Sequence, residues 1–281
     1  MIKIESMVKN IGSFELGPIN LQFEAGYIYG LVGPNRSGKT TLIQTLTQHL
    51  KPNQGRITWF GKQAAHNEQF IKQNVCYMPA EFDGPANWKV GDFCQFARMW
   101  YPNWNDAIVL KLLTQFELKK EEKYAKLSTG AKKKLQFVLA MASNCPFMIL
   151  DEPTNGIDFK SRKFMLDYLV EWMEQGERTL LITSHHIDEI QRLADIIILI
   201  HNGKQIGQYE KDQLISNWKQ IWLPTPVQTE IPGVVAMQNE APYSVITKQA
   251  NETLAYLEKS QVDVIKVRSL DMEDVLAQLV G

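Results

Sequence analysis

Residues 33–41 read GPNRSGKTT and lie between an apolar run at 27–32 and a segment of helical spacing that begins at Lys39. Gly33 to Thr40 fits the pattern G-x-x-x-x-G-K-[ST]. In such a loop the backbone N–H groups converge on phosphate oxygens, and the following helix presents the positive end of its dipole. Lys39 is expected to bridge β- and γ-phosphates, and the Thr40 hydroxyl to bind Mg²⁺. The stretch therefore predicts a strand, a phosphate-binding loop and a helix.

A second apolar run, FMIL at 147–150, leads directly into Asp151 and Glu152. Open α/β sheets place their ligands at the carboxyl ends of strands. At such an end Asp151 can hold Mg²⁺ through water, and Glu152 can polarise an attacking water. Paired with the phosphate-binding loop, this strand end predicts magnesium-dependent nucleotide hydrolysis.

The remaining pattern predicts an α/β core. Apolar runs at 179–183 and 196–200 alternate with amphipathic segments, which indicates a mostly parallel sheet. RITWFGK at 56–62 predicts a short strand in an antiparallel flank. Residues 82–126 are rich in aromatic side chains and predict a helical insertion, followed by a helix with Ser128 as its N-cap.

Composition limits the partners and the compartment. The formal net charge is -1, so no nucleic-acid partner is expected. Cys76, Cys94 and Cys145 lack metal-ligand spacing and are expected to be packing residues in a reducing compartment. No stretch approaches the ~20 apolar residues needed to cross a bilayer. We therefore expect a cytoplasmic protein, for which any membrane function requires a partner that supplies the spans.

Three further motifs follow in order: LSTGA at 127–131, DEPTNGID at 151–158 and TSHH at 183–186. Together with the phosphate-binding loop they resemble the ATP-binding cassette of ABC transporters, which carries a phosphate loop, an LSGGQ-like signature, an acidic strand, a D-loop and a switch histidine. The resemblance covers about residues 1–210. PNQGRITWFGK and YPNW look most like bacterial export-type cassettes, whose membrane subunits handle bacitracin, lantibiotics or other peptides.

The resemblance implies a P-loop cassette of the α/β class, with a mostly parallel core sheet, an antiparallel β flank and a helical subdomain. This ATP-binding domain would occupy residues 1–212, with the helical subdomain at about 82–145. Beyond the resemblance, the segments SVIT, NETLAYLEKS, VDVIKV and LDMEDVLAQLV predict a small α+β accessory domain at 213–281.

The resemblance also implies a dimer, in which each ATP lies between the phosphate loop of one cassette and the signature of the other. Glu152 would serve as general base, His185 would contact the γ-phosphate, and Asp158 of the D-loop would couple the two sites. The signature residues acting in trans would be Ser128, Thr129 and Gly130. The ATP contacts would come from Gly33, Pro34, Asn35, Arg36, Ser37, Gly38, Lys39, Thr40, Thr41 and Ile11, and the Mg²⁺ ligands would be Thr40 and Asp151.

Several positions depart from the family pattern. Ile11 stands where an aromatic residue usually stacks on adenine, with Phe14 close by in the sequence. Ala80 stands where a glutamine usually touches Mg²⁺ and senses the membrane subunit, and Glu81 follows it. Arg36 stands at a usual glycine, where a left-handed backbone would cost an arginine about 1 kcal/mol relative to glycine.

Two side-chain clusters complete the set of candidates. One interpretation of the aromatic cluster is a groove that receives a short helix of the membrane partner, and the other is a core for the helical insertion. The cluster comprises Trp88, Phe93, Phe96, Trp100, Tyr101 and Trp104. The basic run Lys132, Lys133 and Lys134 predicts a solvated helix face.

The leading interpretation is the ATP-binding and ATP-hydrolysing subunit of an ABC transporter that exports peptide or antibiotic-like substrates, with ATP and Mg²⁺ as its cofactors. It would bind polytopic membrane subunits on the inner face of the cell membrane and pair with a second cassette, as a homodimer or a heterodimer. The signature also departs from the family pattern, because Thr129 and Ala131 stand in place of a glycine and the glutamine. The departures at Ile11, Ala80 and the signature leave two alternatives open. One is a slowly hydrolysing, nucleotide-switched regulatory ATPase, and the other is the degenerate half of an asymmetric heterodimer.

Overall fold

The computed structural model describes residues 1–64, 66–227 and 230–280. The fold divides into two compact units, Met1–Gln208 and Tyr209–Gly281. The sequence-based boundary after residue 212 falls inside the first helix of the second unit.

The first unit is built on a six-stranded sheet with the order β10-β9-β3-β8-β7-β6. Its strands are β3 (Ile28–Val32), β6 (Val75–Met78), β7 (Phe147–Asp151), β8 (Thr179–Thr183), β9 (Ile196–His201) and β10 (Lys204–Glu210). The adjacent strands β9, β3, β8, β7 and β6 are all parallel to one another. Every residue of β3, β7 and β8 is buried, as expected for parallel strands covered on both faces. The predicted α/β class with a mostly parallel core is confirmed.

A four-stranded antiparallel sheet flanks this core, in the order β2-β1-β4-β5. Its strands are β1 (Ile2–Ile11), β2 (Phe14–Phe23), β4 (Gln54–Trp59) and β5 (Lys62–Gln63). Buried side chains of both sheets, such as Leu21 and Trp59 on the flank and Leu31 on β3, join one hydrophobic cluster. The predicted antiparallel flank is therefore present, and β1 and β2, which the sequence pattern did not reveal, are its longest strands.

The helices of the first unit are α1 (Lys39–Leu46), α2 (Glu68–Asn74), α3 (Val90–Trp100), α4 (Asp106–Gln115), α5 (Thr129–Ser143), α6 (Phe159–Met173) and α7 (Ile187–Leu193), with a 3-10 turn at Tyr124–Lys126. The helices α3 and α4 both pack on α5, and all three lie between β6 and β7 in the chain, which is where the helical insertion was predicted. Asn105 begins α4 by accepting hydrogen bonds from the backbone N–H groups of Ala107 and Ile108.

The second unit is a small α+β fold. It comprises α8 (Lys211–Asn217), β11 (Lys219–Trp222), β12 (Val234–Gln238), β13 (Ser244–Thr247), α9 (Ala250–Lys259), β14 (Lys266–Ser269) and α10 (Met272–Val280). The strands form an antiparallel sheet in the order β12-β13-β11-β14. Ile221, Val245 and Leu257 are central to its core.

Within the described parts of both units, no helix combines the length and the apolar character needed to span a bilayer.

Candidate functional site

The loop between β3 and α1 has a backbone that two glycines make possible. Gly33 has φ 150°, and a Cβ there would lie 2.0 Å from the carbonyl oxygen of Ile200. Gly38 has φ 115° in the left-handed region and is the N-cap of α1, with the side chain of Leu16 close to where a Cβ would stand. The loop is further fixed by a 2.8 Å hydrogen bond from Gly203 N to the carbonyl oxygen of Ser37. The sequence thus folds here into a tight cradle in front of a helix N-terminus.

Lys39 and Ser37 give this cradle its polar groups. The Nζ of Lys39 donates to the carbonyl oxygens of Gly33 at 2.6 Å and Pro34 at 3.1 Å. Burial lowers the pKa of Lys39, while the nearby carboxylates of Glu152 and Asp151 oppose the shift. The Ser37 hydroxyl is buried and has no hydrogen-bond partner among the residues that the structure describes. A buried hydroxyl of this kind, beside an ammonium and a helix N-terminus, fits a phosphate ligand.

The end of β7 places two carboxylates beside β8. Asp151 accepts a 2.6 Å hydrogen bond from the Thr183 hydroxyl, and the backbone N–H of Glu152 donates to the same Thr183 oxygen at 3.0 Å. Glu152 has φ 50°, an uncommon backbone conformation for a glutamate. Burial raises the pKa of Glu152, and a backbone hydrogen bond from His185 opposes that rise. A buried carboxylate with a raised pKa is the type of group that accepts a proton in general base catalysis.

His185 lies directly against Glu152. Its backbone N–H donates to Oε2 of Glu152 at 3.0 Å, and its Nε2 lies 3.5 Å from Oε1. The imidazole side chain is 60% exposed and can therefore reach a ligand. The neighbouring His186 is instead the N-cap residue of α7, and its backbone N–H donates to the Ser184 hydroxyl at 3.0 Å.

These groups line a single cavity of about 470 Å³. Its lining comprises Phe14, Asn35, Arg36, Ser37, Gly38, Lys39, Thr40, Thr41, Ala80, Asp151, Glu152 and His185. The structure thus brings together most of the predicted ATP contacts, both predicted magnesium ligands and both predicted catalytic residues. Ile11 is outside this lining and 44% exposed, whereas Phe14 is part of it. Among the described residues of the lining, Phe14 carries the large apolar ring, so its side chain is the better candidate for an apolar contact with a base.

The donor set around Thr40 and Asp151 suits Mg²⁺. A hydroxyl and a carboxylate are hard oxygen ligands, and Mg²⁺ in phosphate sites is typically held by one or two such groups together with phosphate oxygens and water. Within the described residues, no cluster of three or more His, Cys, Asp or Glu side chains could hold a metal ion. The Thr40 hydroxyl and the Asp151 carboxylate, which line the same cavity, are residues that could hold Mg²⁺.

The signature segment begins α5. The Ser128 hydroxyl caps the helix by accepting from the Ala131 backbone N–H at 3.2 Å. Asp158 caps α6 in the same way, and its carboxylate also accepts a 2.8 Å hydrogen bond from Lys134. The Lys134 ammonium and the Ser161 N–H hold the pKa of Asp158 well below its usual range. The signature helix and the predicted D-loop are thus joined within one chain.

The prediction that Lys132, Lys133 and Lys134 form a solvated face is wrong for Lys133, and it does not hold fully for Lys134, whose side chain is only 18% exposed. Lys133 is only 5% exposed, and its Nζ donates to the carbonyl oxygens of Ala80 at 2.6 Å and Pro79 at 3.3 Å. The physical reason is that α5 is buried around most of its circumference, which leaves few positions for solvated side chains. A run of three like charges could not reveal which of them faces the protein.

A buried carboxylate that sequence reasoning missed connects the loops around the site. Glu189 of α7 is fully buried and accepts hydrogen bonds from the hydroxyls of Thr154 and Ser184 and from Nε of Arg162 at 2.5 Å. Ser184 adjoins His185, and Thr154 follows the acidic strand. The sequence offered little indication of this network, because the hydrogen-bond partners of Glu189 lie in different segments of the chain and belong to no recognisable motif.

A second, larger cavity of about 840 Å³ lies along α3 and the end of β6. We call it the aromatic groove. Its lining includes Tyr77, Pro79, Phe82, Phe96, Trp100 and Tyr101. Trp100 is 61% exposed, whereas Phe93 is buried beneath Trp88, with ring centroids 5.2 Å apart. Burial, helped by the neighbouring Asp151, raises the pKa of Tyr77 to about 12. The aromatic cluster therefore divides between a buried part, to which Phe93 belongs, and the groove, which Phe96 and Trp100 line. That the groove receives a helix of a membrane partner stays a prediction.

Comparison with known proteins agrees with this geometry. A family model described as ABC transporter matches residues 16–155. The ABC transporter ATP-binding protein YtrB of Bacillus subtilis (strain 168) is 30% identical over 240 residues, which cover 85% of this chain and 81% of YtrB. The Nod factor export ATP-binding protein I of Burkholderia lata is 31% identical over 205 residues, covering 71% of this chain and 67% of that protein.

Among solved structures, a dimeric ATP-binding cassette in a post-hydrolysis state, bound to ADP and Pi, matches with a TM-score of 0.67 at 19% identity. The match covers 75% of this chain and 99% of that chain. At this identity the likeness concerns the fold, and it confirms the predicted cassette architecture.

Proposed function

This chain belongs to the ABC transporter family as an ATP-binding and ATP-hydrolysing cassette subunit, and from that premise we propose that it powers export through separate membrane-spanning partners. The direction is supported by a relative that is named for export. The proposed cargo is peptide or antibiotic-like, because PNQGRITWFGK and YPNW resemble peptide-handling export cassettes. The protein would accordingly lie on the inner face of the cell membrane, held there by its partner.

The observation that carries the proposal is the convergence of four charged or titratable side chains on one cavity. Lys39, Asp151, Glu152 and His185 come from three different segments and all line the 470 Å³ space next to the N-terminus of α1. The Lys39 ammonium, the helix dipole of α1 and the buried Ser37 hydroxyl favour the binding of phosphates. The carboxylates of Asp151 and Glu152 favour metal binding and proton transfer.

Thr40 and Asp151 are the residues that would hold Mg²⁺. When bound, the ion neutralises phosphate charge and makes the phosphoryl group a better electrophile. Glu152 would accept the proton of the attacking water, since its burial raises its pKa and the His185 N–H fixes one of its oxygens. The exposed His185 imidazole would contact the terminal phosphate.

The signature would act on the ATP of a second cassette. Among the described residues, the cavity lining includes none from 127–131, although this segment begins a 15-residue helix whose first N–H groups can bind an anion. Ser128 and Gly130 would therefore serve a partner's nucleotide, with Thr129 beside them. The second cassette can be another copy of this chain or a homologue, and Asp158 would couple the two sites through its bond to Lys134.

The aromatic groove is the proposed docking site of the membrane subunit. It offers exposed aromatic side chains, Phe96 and Trp100, on a helix next to the nucleotide-binding core. Large aromatic residues are the usual anchors of protein interfaces. A short amphipathic helix of the membrane partner suits a groove of this kind.

The experiment is co-expression with the neighbouring reading frames, which the proposal predicts to encode a multi-span membrane protein, followed by purification from detergent-solubilised membranes. We expect a complex with the wild-type chain and a recovery about tenfold lower or less with Trp100→Ala, because an aromatic anchor is lost from the interface. Leu110→Ala is the matched control, since Leu110 is similarly exposed on α4 but outside the groove. Recovery of ribosomes or DNA instead of a membrane protein would overturn the transport function.

A further inference from the structure

One short loop forms a wall of both cavities. Pro79 and Phe82 line the aromatic groove, whereas Ala80, between them in the sequence, lines the nucleotide cavity. The loop directly follows β6, the edge strand that pairs with the acidic strand β7. A displacement of this loop would therefore change the shape of both cavities.

Lys133 holds this loop from the helix α5. Its ammonium donates to the carbonyl oxygens of Ala80 and Pro79. Ala80 lines the nucleotide cavity and Pro79 lines the aromatic groove, so Lys133 binds one lining residue of each cavity. Hydrogen bonds with a charged donor are stronger than neutral ones, and a buried ammonium needs such partners to offset its desolvation. The contact at 2.6 Å is the shorter, and it is made to the residue of the nucleotide cavity.

The surroundings of this ammonium are acidic. Desolvation lowers the pKa of Lys133, and the carboxylates of Asp151, Glu152 and Glu81 oppose the shift. Two of these three carboxylates belong to the nucleotide cavity. The cation is thus favoured by the same groups that are proposed to handle magnesium and water.

We propose that Lys133 is a positioning residue that fixes the 79–82 loop to the signature helix and thereby couples the aromatic groove to the nucleotide cavity. The proposal rests on the function proposed above for both cavities. In this chain position 80 is an alanine, whose side chain is a methyl group, so the loop is attached through its backbone carbonyl groups. Lys133 of α5 binds those of Pro79 and Ala80, and the Tyr124 hydroxyl donates to that of Phe82 at 2.7 Å.

The test is a comparison of Lys133→Met with Lys133→Arg. Methionine has a similar length but no donor, whereas arginine keeps a charged donor. For Lys133→Met we expect kcat for ATP to fall about tenfold, the change that about 1.4 kcal/mol produces, with KM within about threefold of wild type. Lys133→Arg should recover most of the lost kcat, which a mere loss of packing would not allow.

Hydrogen exchange supplies a readout that does not depend on activity. In Lys133→Met, amides of the 79–82 loop should exchange about tenfold faster, while the thermal midpoint of unfolding stays close to wild type. If Lys133→Met fails to fold, Lys133→Gln, which retains an uncharged donor, takes its place. Lys163→Met is the matched control, because it removes an exposed lysine of α6.

The outcomes separate this inference from the proposed function. Equal kcat and equal loop exchange in wild type and Lys133→Met would overturn the positioning role and leave ATP hydrolysis intact. A wild-type chain that does not hydrolyse ATP would contradict the proposed function, and loop exchange would still decide whether Lys133 holds the loop.

Discussion

Arg36 occupies a backbone conformation that is less favourable for arginine than for glycine. Its φ is 65°, in the left-handed region, and its side chain is exposed at the rim of the nucleotide cavity. For a residue with a Cβ this conformation costs about 1 kcal/mol. A guanidinium beside a triphosphate can offset such a cost with charge-assisted hydrogen bonds.

Replacing Arg36 by glycine tests whether its side chain contributes to ATP binding or to the later steps of turnover and dimer closure. We expect Arg36→Gly to bind ATP within about threefold of wild type, because the loop glycines, Lys39 and the α1 N-terminus remain. The change should appear in turnover or in ATP-dependent dimer closure. Fluorescent-nucleotide titration and steady-state kinetics measure the two effects, with Arg36→Lys as the charge-preserving control. Complete loss of ATP binding would identify Arg36 as a primary phosphate ligand instead.

At the scale of residues, the sequence was informative where chemistry dictates both identity and spacing. Gly33, Gly38 and Lys39 could be singled out because the loop needs left-handed backbone and a cation at fixed offsets. Lys133 and Glu189 could not be, because their roles depend on burial and on partners far away in the chain. The sequence also did not show whether Ile11 or Phe14 lines the cavity, because this depends on the conformation of the turn between β1 and β2.

At the scale of elements, the Glu189 network joins α6, α7 and the segments after β7 and β8. Replacing this carboxylate leaves the Arg162 guanidinium, whose side chain is 23% exposed, without its shorter ion pair. We expect Glu189→Gln to lower the free energy of unfolding by about 2 kcal/mol, less than for a fully buried pair because Arg162 is partly solvated. Urea unfolding followed by tryptophan fluorescence measures the change.

The neighbouring acid on the same helix provides the control. Asp188 pairs with Arg162 at 3.0 Å, but its side chain is 76% exposed. Asp188→Asn should therefore change the free energy of unfolding by less than about 0.5 kcal/mol. An equal decrease in the free energy of unfolding in the two variants would show that the burial of Glu189 does not increase its contribution to stability.

The elements differed in how far the sequence revealed them. The parallel strands β3, β7, β8 and β9 are continuous apolar runs, because both faces of that sheet are covered. The flank strands β1 and β2 were missed, since their pairing contains irregular registers and one face carries polar residues. The aromatic cluster could be placed on a helix, but which rings remain exposed depends on the elements that cover it.

At the scale of the whole molecule, the proposed ATP site is divided between two chains. The cavity contains the phosphate loop, the acidic strand and His185, while the signature residues lie outside its lining. If the signature acts on the ATP of a second cassette, as proposed, hydrolysis requires two cassettes. A cassette pair that hydrolyses ATP should separate afterwards, and a pair that cannot hydrolyse should persist.

Glu152→Gln gives the most direct measurement of this composite site. With MgATP we expect the wild-type chain to turn over, and the variant to lose at least about 100-fold in kcat, as for removal of a general base. In size-exclusion chromatography with light scattering, the variant should form a dimer when ATP is present and remain a monomer without it. Glu177→Gln, at an exposed position, should behave as wild type. A Glu152→Gln chain that hydrolyses ATP at the wild-type rate and stays monomeric with ATP would contradict the assignment.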